Sequence, residues 1–136
     1  MRVLVIDDSP EFRQRIAQYL GAAMPEAELT LWDPVRQGKP AVGFDWRRYD
    51  ALLLDDAPGA GQDGLEWLRE FRAEGQVPPT LVLRGASSTV LDRDVAERMG
   101  RDLPNGTFVE IPRAVHTLHE DNPEAVLAAL RSFLGF

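Results

Sequence analysis

The sequence predicts an α/β domain: a five-stranded parallel sheet with helices on both faces. Strand-like and helix-like segments alternate along the whole chain, which is the pattern of right-handed crossovers between parallel strands. Two short apolar runs, Val3-Leu4-Val5-Ile6 and Ala51-Leu52-Leu53-Leu54, read as strands buried on both faces. Each run stops at a pair of acids, Asp7-Asp8 and Asp55-Asp56.

The remaining elements follow in order. Ser9-Pro10-Glu11 supplies a cap, a proline at the first helical position and an early acid. Phe12, Ile16, Tyr19 and Leu20 then recur at helical spacing, and the helix is expected to stop near Gly21. Leu29 to Trp32 form a second strand, after which Pro34, Gly38, Pro40 and Gly43 break any long helix before Trp46. Beyond the third strand, Pro58, Gly59 and Gly61 mark a loop, and Leu65, Leu68 and Phe71 a helix starting at Asp63. Thr80 to Leu83 form the fourth strand, and Leu91, Val95 and Met99 share one face of the next helix. Pro104-Asn105-Gly106 is a turn, and Thr107 to Ile111 the fifth strand. Asn122-Pro123-Glu124 opens a last helix with Val126, Leu130 and Phe133 inward.

A chain of 136 residues fits one domain, spanning 1–136. With 44% hydrophobic and 27% charged residues, the composition is that of a globular protein rather than a disordered or fibrous one. No run approaches the about 20 apolar residues that span a bilayer. The apolar start is cut short by Asp7 and Asp8, so no secretion signal is read and a cytoplasmic location is expected. The absence of cysteine excludes disulfides, thiol catalysis and thiolate metal sites. A net charge of -7 disfavours nucleic acid as a partner of this chain. Arg13 with Arg15 and Arg47 with Arg48 read as solvated surface.

Ligands of such folds gather at the carboxyl ends of the strands, and the flavodoxin-like strand order 2-1-3-4-5 makes strands one and three neighbours. Asp7, Asp8 and Asp55 would then meet in one crevice. Carboxylates held close repel one another and persist best with a cation, for which Mg2+ is the natural oxygen-ligand resident. One of them could then act as a nucleophile towards a phosphoryl group.

These stretches, Val3-Leu4-Val5-Ile6-Asp7-Asp8-Ser9, Tyr49-Asp50-Ala51-Leu52-Leu53-Leu54-Asp55 and Asp63-Gly64-Leu65, resemble the receiver domains of two-component response regulators over about residues 1–78. The resemblance implies a three-layer flavodoxin-like (receiver-like) domain that binds Mg2+ through Asp7, Asp8, Asp55 and the backbone carbonyl of Ala57. It implies Asp55 as phosphoacceptor and a histidine kinase or phosphotransfer protein as partner. Receivers carry Ser or Thr at the end of strand four and Lys before a Pro at the end of strand five; Arg84 and Ile111 stand there instead. The resemblance therefore implies a degenerate switch, with Ser87, Ser88 or Arg113 as stand-ins. A receiver-like scaffold or interaction domain without a phosphorylation cycle stays open beside the signalling reading. It is favoured by Arg84 and Ile111 at the switch positions, and the Arg84 guanidinium could pair with the pocket carboxylates.

Residues 79–136 resemble instead the C-terminal end of an α/β-hydrolase, through Pro79-Thr80-Leu81-Val82-Leu83-Arg84-Gly85, Leu103-Pro104-Asn105-Gly106-Thr107 and Ile111-Pro112-Arg113-Ala114-Val115-His116. His116 matches the hydrolase histidine by position. Gly85-Ala86-Ser87-Ser88-Thr89 lacks the second glycine of a nucleophile elbow, so no enzyme activity is expected. His116 reads as an inactive surface residue, and His119 as exposed. Two resemblances in one chain are what a chimeric or recombined protein would give.

Overall fold

A computed structural model describes residues 1–55, 64–74, 77–87, 94, 106–115 and 118–136. Its five strands are β1 (Arg2–Ile6), β2 (Glu28–Trp32), β3 (Ala51–Asp55), β4 (Thr80–Gly85) and β5 (Gly106–Ile111). They form one parallel sheet, as expected from the alternation, in the flavodoxin-like order β2-β1-β3-β4-β5. The helices are α1 (Pro10–Ala23), α2 (Pro34–Gln37), α3 (Gly64–Glu74), α4 (Leu118–Asp121) and α5 (Pro123–Leu134), with a 3-10 turn at Trp46–Arg48. The helix expected around Leu91, Val95 and Met99, the Pro104-Asn105 turn and the glycine loop after β3 lie outside the described residues.

The period of two along each strand splits the core into two layers. Val3, Val5, Leu53, Leu81 and Leu83 join one cluster with α1 and α5. Leu4, Ile6, Leu52, Leu54 and Val82 join the other with Trp46, Trp67, Leu68 and Phe71. Because both sides of β1 and β3 are covered, their sequences are continuously apolar rather than alternating.

Caps behave as read from the sequence. The Ser9 hydroxyl accepts from the Phe12 N–H at 3.2 Å, and Asn122 Oδ1 from the Ala125 N–H at 3.3 Å. Asn122 also donates to the Pro112 carbonyl at 2.8 Å, tying the start of α5 to the end of β5. Helix α1 runs past Gly21 to Ala23, since a lone glycine costs a helix only about 1 kcal/mol. In α5 the buried residues are Val126, Ala129, Leu130 and Leu134, while Phe133 is half-buried.

The second crossover is the departure from a regular layered fold. Pro34 starts α2 with Asp33 as cap, but Gly38, at φ 73°, ends it after one turn. In place of a long helix, Phe44 packs against Trp32, Trp46 and Tyr49 with ring centroids 5.6, 4.6 and 5.9 Å away. The Trp32 indole N–H donates to the Gly38 carbonyl at 2.8 Å, closing the loop. Edge strand β2 stays largely open, with Leu31 exposed.

At the opposite end of the sheet, Arg2 and Asp50 clamp β1 to the segment entering β3. The Arg2 N–H donates to Asp50 Oδ2 at 2.7 Å and the Asp50 N–H to the Arg2 carbonyl at 2.7 Å. The hydrogen bond from the Arg2 backbone N–H, then the one from its side chain, holds the Asp50 carboxyl below its usual range. A lowered folded-state pKa stabilises the fold above the ordinary carboxylate range and stops doing so as the pH falls through the lowered value.

Candidate acidic site at the carboxyl end of the sheet

The register explains why the acids meet. Ile6 pairs with Leu54, so Asp7 and Asp55 occupy the next rung of adjacent parallel strands, on the same side of the sheet. Asp8 follows at the turn into α1. One carboxylate oxygen from each of Asp7, Asp8 and Asp55 lies within 4.8 Å of the others. Asp7 is buried, and Asp8 and Asp55 are half-buried. The expected convergence of two separate segments is therefore present. The Ala57 carbonyl, the neighbouring Asp56 and the stand-in Ser88 lie outside the described residues, as does His116.

The loop that carries the acids is held from behind. The Ser9 N–H donates to Asp7 Oδ1 at 2.7 Å, and Arg13 Nη1 donates to the Asp7 carbonyl at 2.6 Å. Arg13 Nη2 also pairs with Asp33 at 3.4 Å. Arg13 is thus a half-buried strut of the site, not solvated surface as its sequence neighbourhood suggested; Arg15, Arg47 and Arg48 are exposed. No local pattern distinguishes Arg13 from Arg15, because the difference is which side of α1 meets the end of β2.

Beneath the acids a cavity of about 20 Å³ opens between Phe12, Leu83, Leu118 and Leu130, room for about one water molecule. Its walls are apolar, which strengthens the interactions of charges at its mouth.

The two departed positions have different fates. Ile111 is fully buried in the α1 and α5 layer, so this place is filled by hydrocarbon. The chain has a single lysine, Lys39, and its ammonium is paired with Glu70 on α3. Arg84 lies inside β4, which runs on to Gly85 instead of ending at Leu83. It is 5% exposed, and its Nη1 donates to Glu110 Oε2 at 3.2 Å and to the Ala86 carbonyl at 3.4 Å. Glu110 is its direct partner in the β4–β5 register. Ser87 and Arg113 are exposed, and Arg113 sits in the left-handed region at φ 57° in the turn after β5.

His119 is buried, not exposed: its ring packs edge-on against Phe12 at 5.6 Å, and neither nitrogen has a hydrogen-bond partner among the described residues. Helix α4 is a single turn, too short for a periodic signal in the sequence, so its inward face emerges only when it packs on α1.

Chemically, the cluster is a repulsive set of hard oxygen donors suited to a divalent cation and to nucleophilic attack by a carboxylate. Replacing Asp8 with Asn is expected to raise metal-free stability by about 1 kcal/mol by removing one like charge. The same change should shrink any rise in melting temperature on adding Mg2+. Thermal melts with and without the ion check both; lower metal-free stability in the variant would show that the carboxylates do not repel.

Comparison with known proteins places this arrangement in a familiar fold. No protein-family model matches the chain. It is 29% identical over 126 residues to protein-glutamate methylesterase/protein-glutamine glutaminase 1 of Vibrio vulnificus strain YJ016, covering 93% of this chain and 31% of that protein. It is 30% identical over 99 residues to the corresponding enzyme 4 of Myxococcus xanthus strain DK1622, covering 73% of this chain and 26% of that protein. The chain thus spans about a third or less of these curated relatives. Among solved structures, a response regulator receiver protein from Pseudoalteromonas atlantica superposes with a TM-score of 0.64 at 13% identity, over 99% of this chain and 98% of that one. The BeF3-activated receiver domain of RstA from Klebsiella pneumoniae gives 0.62 at 24% identity, over 98% of each chain. The fold is the flavodoxin-like fold of receiver domains, and the likeness runs through residues 79–136 as well as 1–78.

Proposed function

We propose that this chain is a signalling receiver that accepts a phosphoryl group on Asp55 with Mg2+ held by Asp7, Asp8 and Asp55. The observation that carries this is the meeting of the three carboxylates at the carboxyl end of a receiver-type sheet. The donor is a phosphohistidine of a kinase or phosphotransfer protein. An Asp55 carboxylate oxygen forms the new O–P bond while the N–P bond breaks, and the electron pair stays on the donor imidazole, which takes a proton from solvent. Mg2+, when bound, neutralises charge on the transferring oxygens. Asp7 is oriented for its part by the Ser9 N–H, and Arg13 fixes the loop by its grip on the Asp7 carbonyl.

The esterase and glutaminase activities named for the curated relatives belong to proteins about three times as long. In this proposal the chain is a substrate of phosphoryl transfer and not an esterase, acting in the cytoplasm and without nucleic acid as a direct partner. The receiver-type fold extends over residues 79–136 as well as 1–78.

The test is incubation with Mg2+ and acetyl phosphate, read by intact mass. The parent chain is expected to gain one phosphoryl group and Asp55→Asn none, with the acyl phosphate lost on raising the pH. A folded parent chain whose mass does not change overturns the phosphoacceptor role. It would leave the second reading, a scaffold without a phosphorylation cycle, which the burial of Ile111 and the tie of Arg84 to Glu110 favour.

A further inference from the structure

We infer that two copies of this chain pair through edge strand β2, antiparallel about a two-fold axis at Thr30, and so join their sheets into one. The pairing does not depend on phosphorylation. The parallel ladder with β1 fixes which groups the edge presents. The Glu28 N–H donates to the Met1 carbonyl at 2.9 Å, and the Trp32 carbonyl accepts from the Asp7 N–H at 3.4 Å. The backbone groups of Glu28, Thr30 and Trp32 therefore face β1, and by alternation those of Ala27, Leu29, Leu31 and Asp33 face away from it. The outer two donors of that set are already used. The Ala27 N–H donates to the Met24 carbonyl at 2.9 Å, and the Asp33 N–H to Gln37 Oε1 at 2.9 Å. The N–H groups of Leu29 and Leu31 have no partner among the described residues.

Those two open donors fit a second copy in one register. With the axis at Thr30, Leu29 lies opposite the partner's Leu31 and Leu31 opposite the partner's Leu29, and each pair exchanges both N–H···O bonds. An axis at Leu29 or at Leu31 brings in Ala27 or Asp33, whose N–H is taken.

The side chains agree with the backbone. Leu29 and Leu31 are in register with Val3 and Val5, on the side of the sheet that carries α1 and α5. Leu31 is 40% exposed and would be covered by the partner's Leu29. On the other face Thr30 meets the partner's Thr30, a favourable cross-strand pair, and Glu28 meets the partner's Trp32 instead of a like charge. Nothing in the strand guards this edge: β2 contains no lysine, proline or glycine, and its five rungs with β1 run without a bulge. Antiparallel pairing points the carboxyl ends of the two sheets in opposite directions, so both acidic sites stay open.

The test uses the whole chain. Sedimentation from about 10 µM to 1 mM is expected to show the mass rising from one chain towards two, because a short strand pair makes a weak, concentration-dependent dimer. Added salt should strengthen it by screening the charge of -7 on each copy. Thr30→Glu, at an exposed position, sets like charges face to face and should weaken association about tenfold or more. The chain has no cysteine, so Thr30→Cys introduces one thiol per copy, with Cα atoms about 4.5 Å apart across the axis and within reach of a disulfide. Under oxidised glutathione it should cross-link about tenfold faster than Glu28→Cys, which is equally on the surface but far from its own copy. A parent chain that stays monomeric over this range, or a Thr30→Cys rate no greater than that of Glu28→Cys, overturns the pairing and leaves the edge to a strand of another protein. A Thr30→Glu chain that associates as tightly as the parent overturns it as well.

Discussion

Phe71→Ala is expected to remove about 3–5 kcal/mol of folding stability, a large share of the roughly 5–15 kcal/mol that a domain of this kind possesses. Phe71 is 1% exposed on the inner face of α3, with the Trp46 ring 4.6 Å away and that of Trp67 at 6.2 Å. The usual second crossover helix is replaced here by a one-turn α2 and an aromatic loop, so Phe71 joins that loop to α3 across the sheet. Little can collapse into the space it leaves, because Trp46 and Trp67 are themselves anchored on separate segments. Urea unfolding followed by tryptophan emission measures the loss directly, since two of the three indoles border the cavity. A change below about 1 kcal/mol would mean that the aromatic layer repacks freely.

Gly85→Ala is expected to cost about 2–3 kcal/mol and, more tellingly, to disturb the acidic site. A Cβ at Gly85 would overlap the Val115 carbonyl oxygen and lie 2.6 Å from that of Ala114. Neither neighbour can yield easily. Ala86 donates to the Ile111 carbonyl at 2.9 Å and Ser87 to that of Ala114 at 3.0 Å, so backbone is pressed on backbone. Relief requires the 112–115 loop to move off the end of β4, taking with it the entry to α4 and Leu118, which walls the cavity below Asp7 and Asp55. The variant should lose stability and also affinity for beryllofluoride with Mg2+, whereas Phe71→Ala should affect stability far more than affinity. Thermal melts paired with that binding measurement separate the two, and a Gly85→Ala protein that melts like the parent would show that the loop has slack.

What the sequence determined by itself was whatever depends on near neighbours and on period. Continuous apolar runs at Val3 to Ile6 and Ala51 to Leu54 specified strands covered on both faces, Ser9 and Asn122 specified helix starts, and alternation specified a parallel sheet. The acidic site was legible because Asp7 and Asp55 each end such a run, and the flavodoxin-like order makes the two runs adjacent. Only the tertiary structure decided where the charged and polar side chains around the sheet find their partners. Arg84 and Glu110 are 26 positions apart and meet through the β4–β5 register; Arg13 turns inward because α1 crosses the end of β2; His119 is buried because its one-turn helix lies on Phe12. Charged and polar side chains take their roles from partners distant in the chain, and no local periodicity encodes those pairings, whereas burial of an apolar face writes itself into every second or fourth residue.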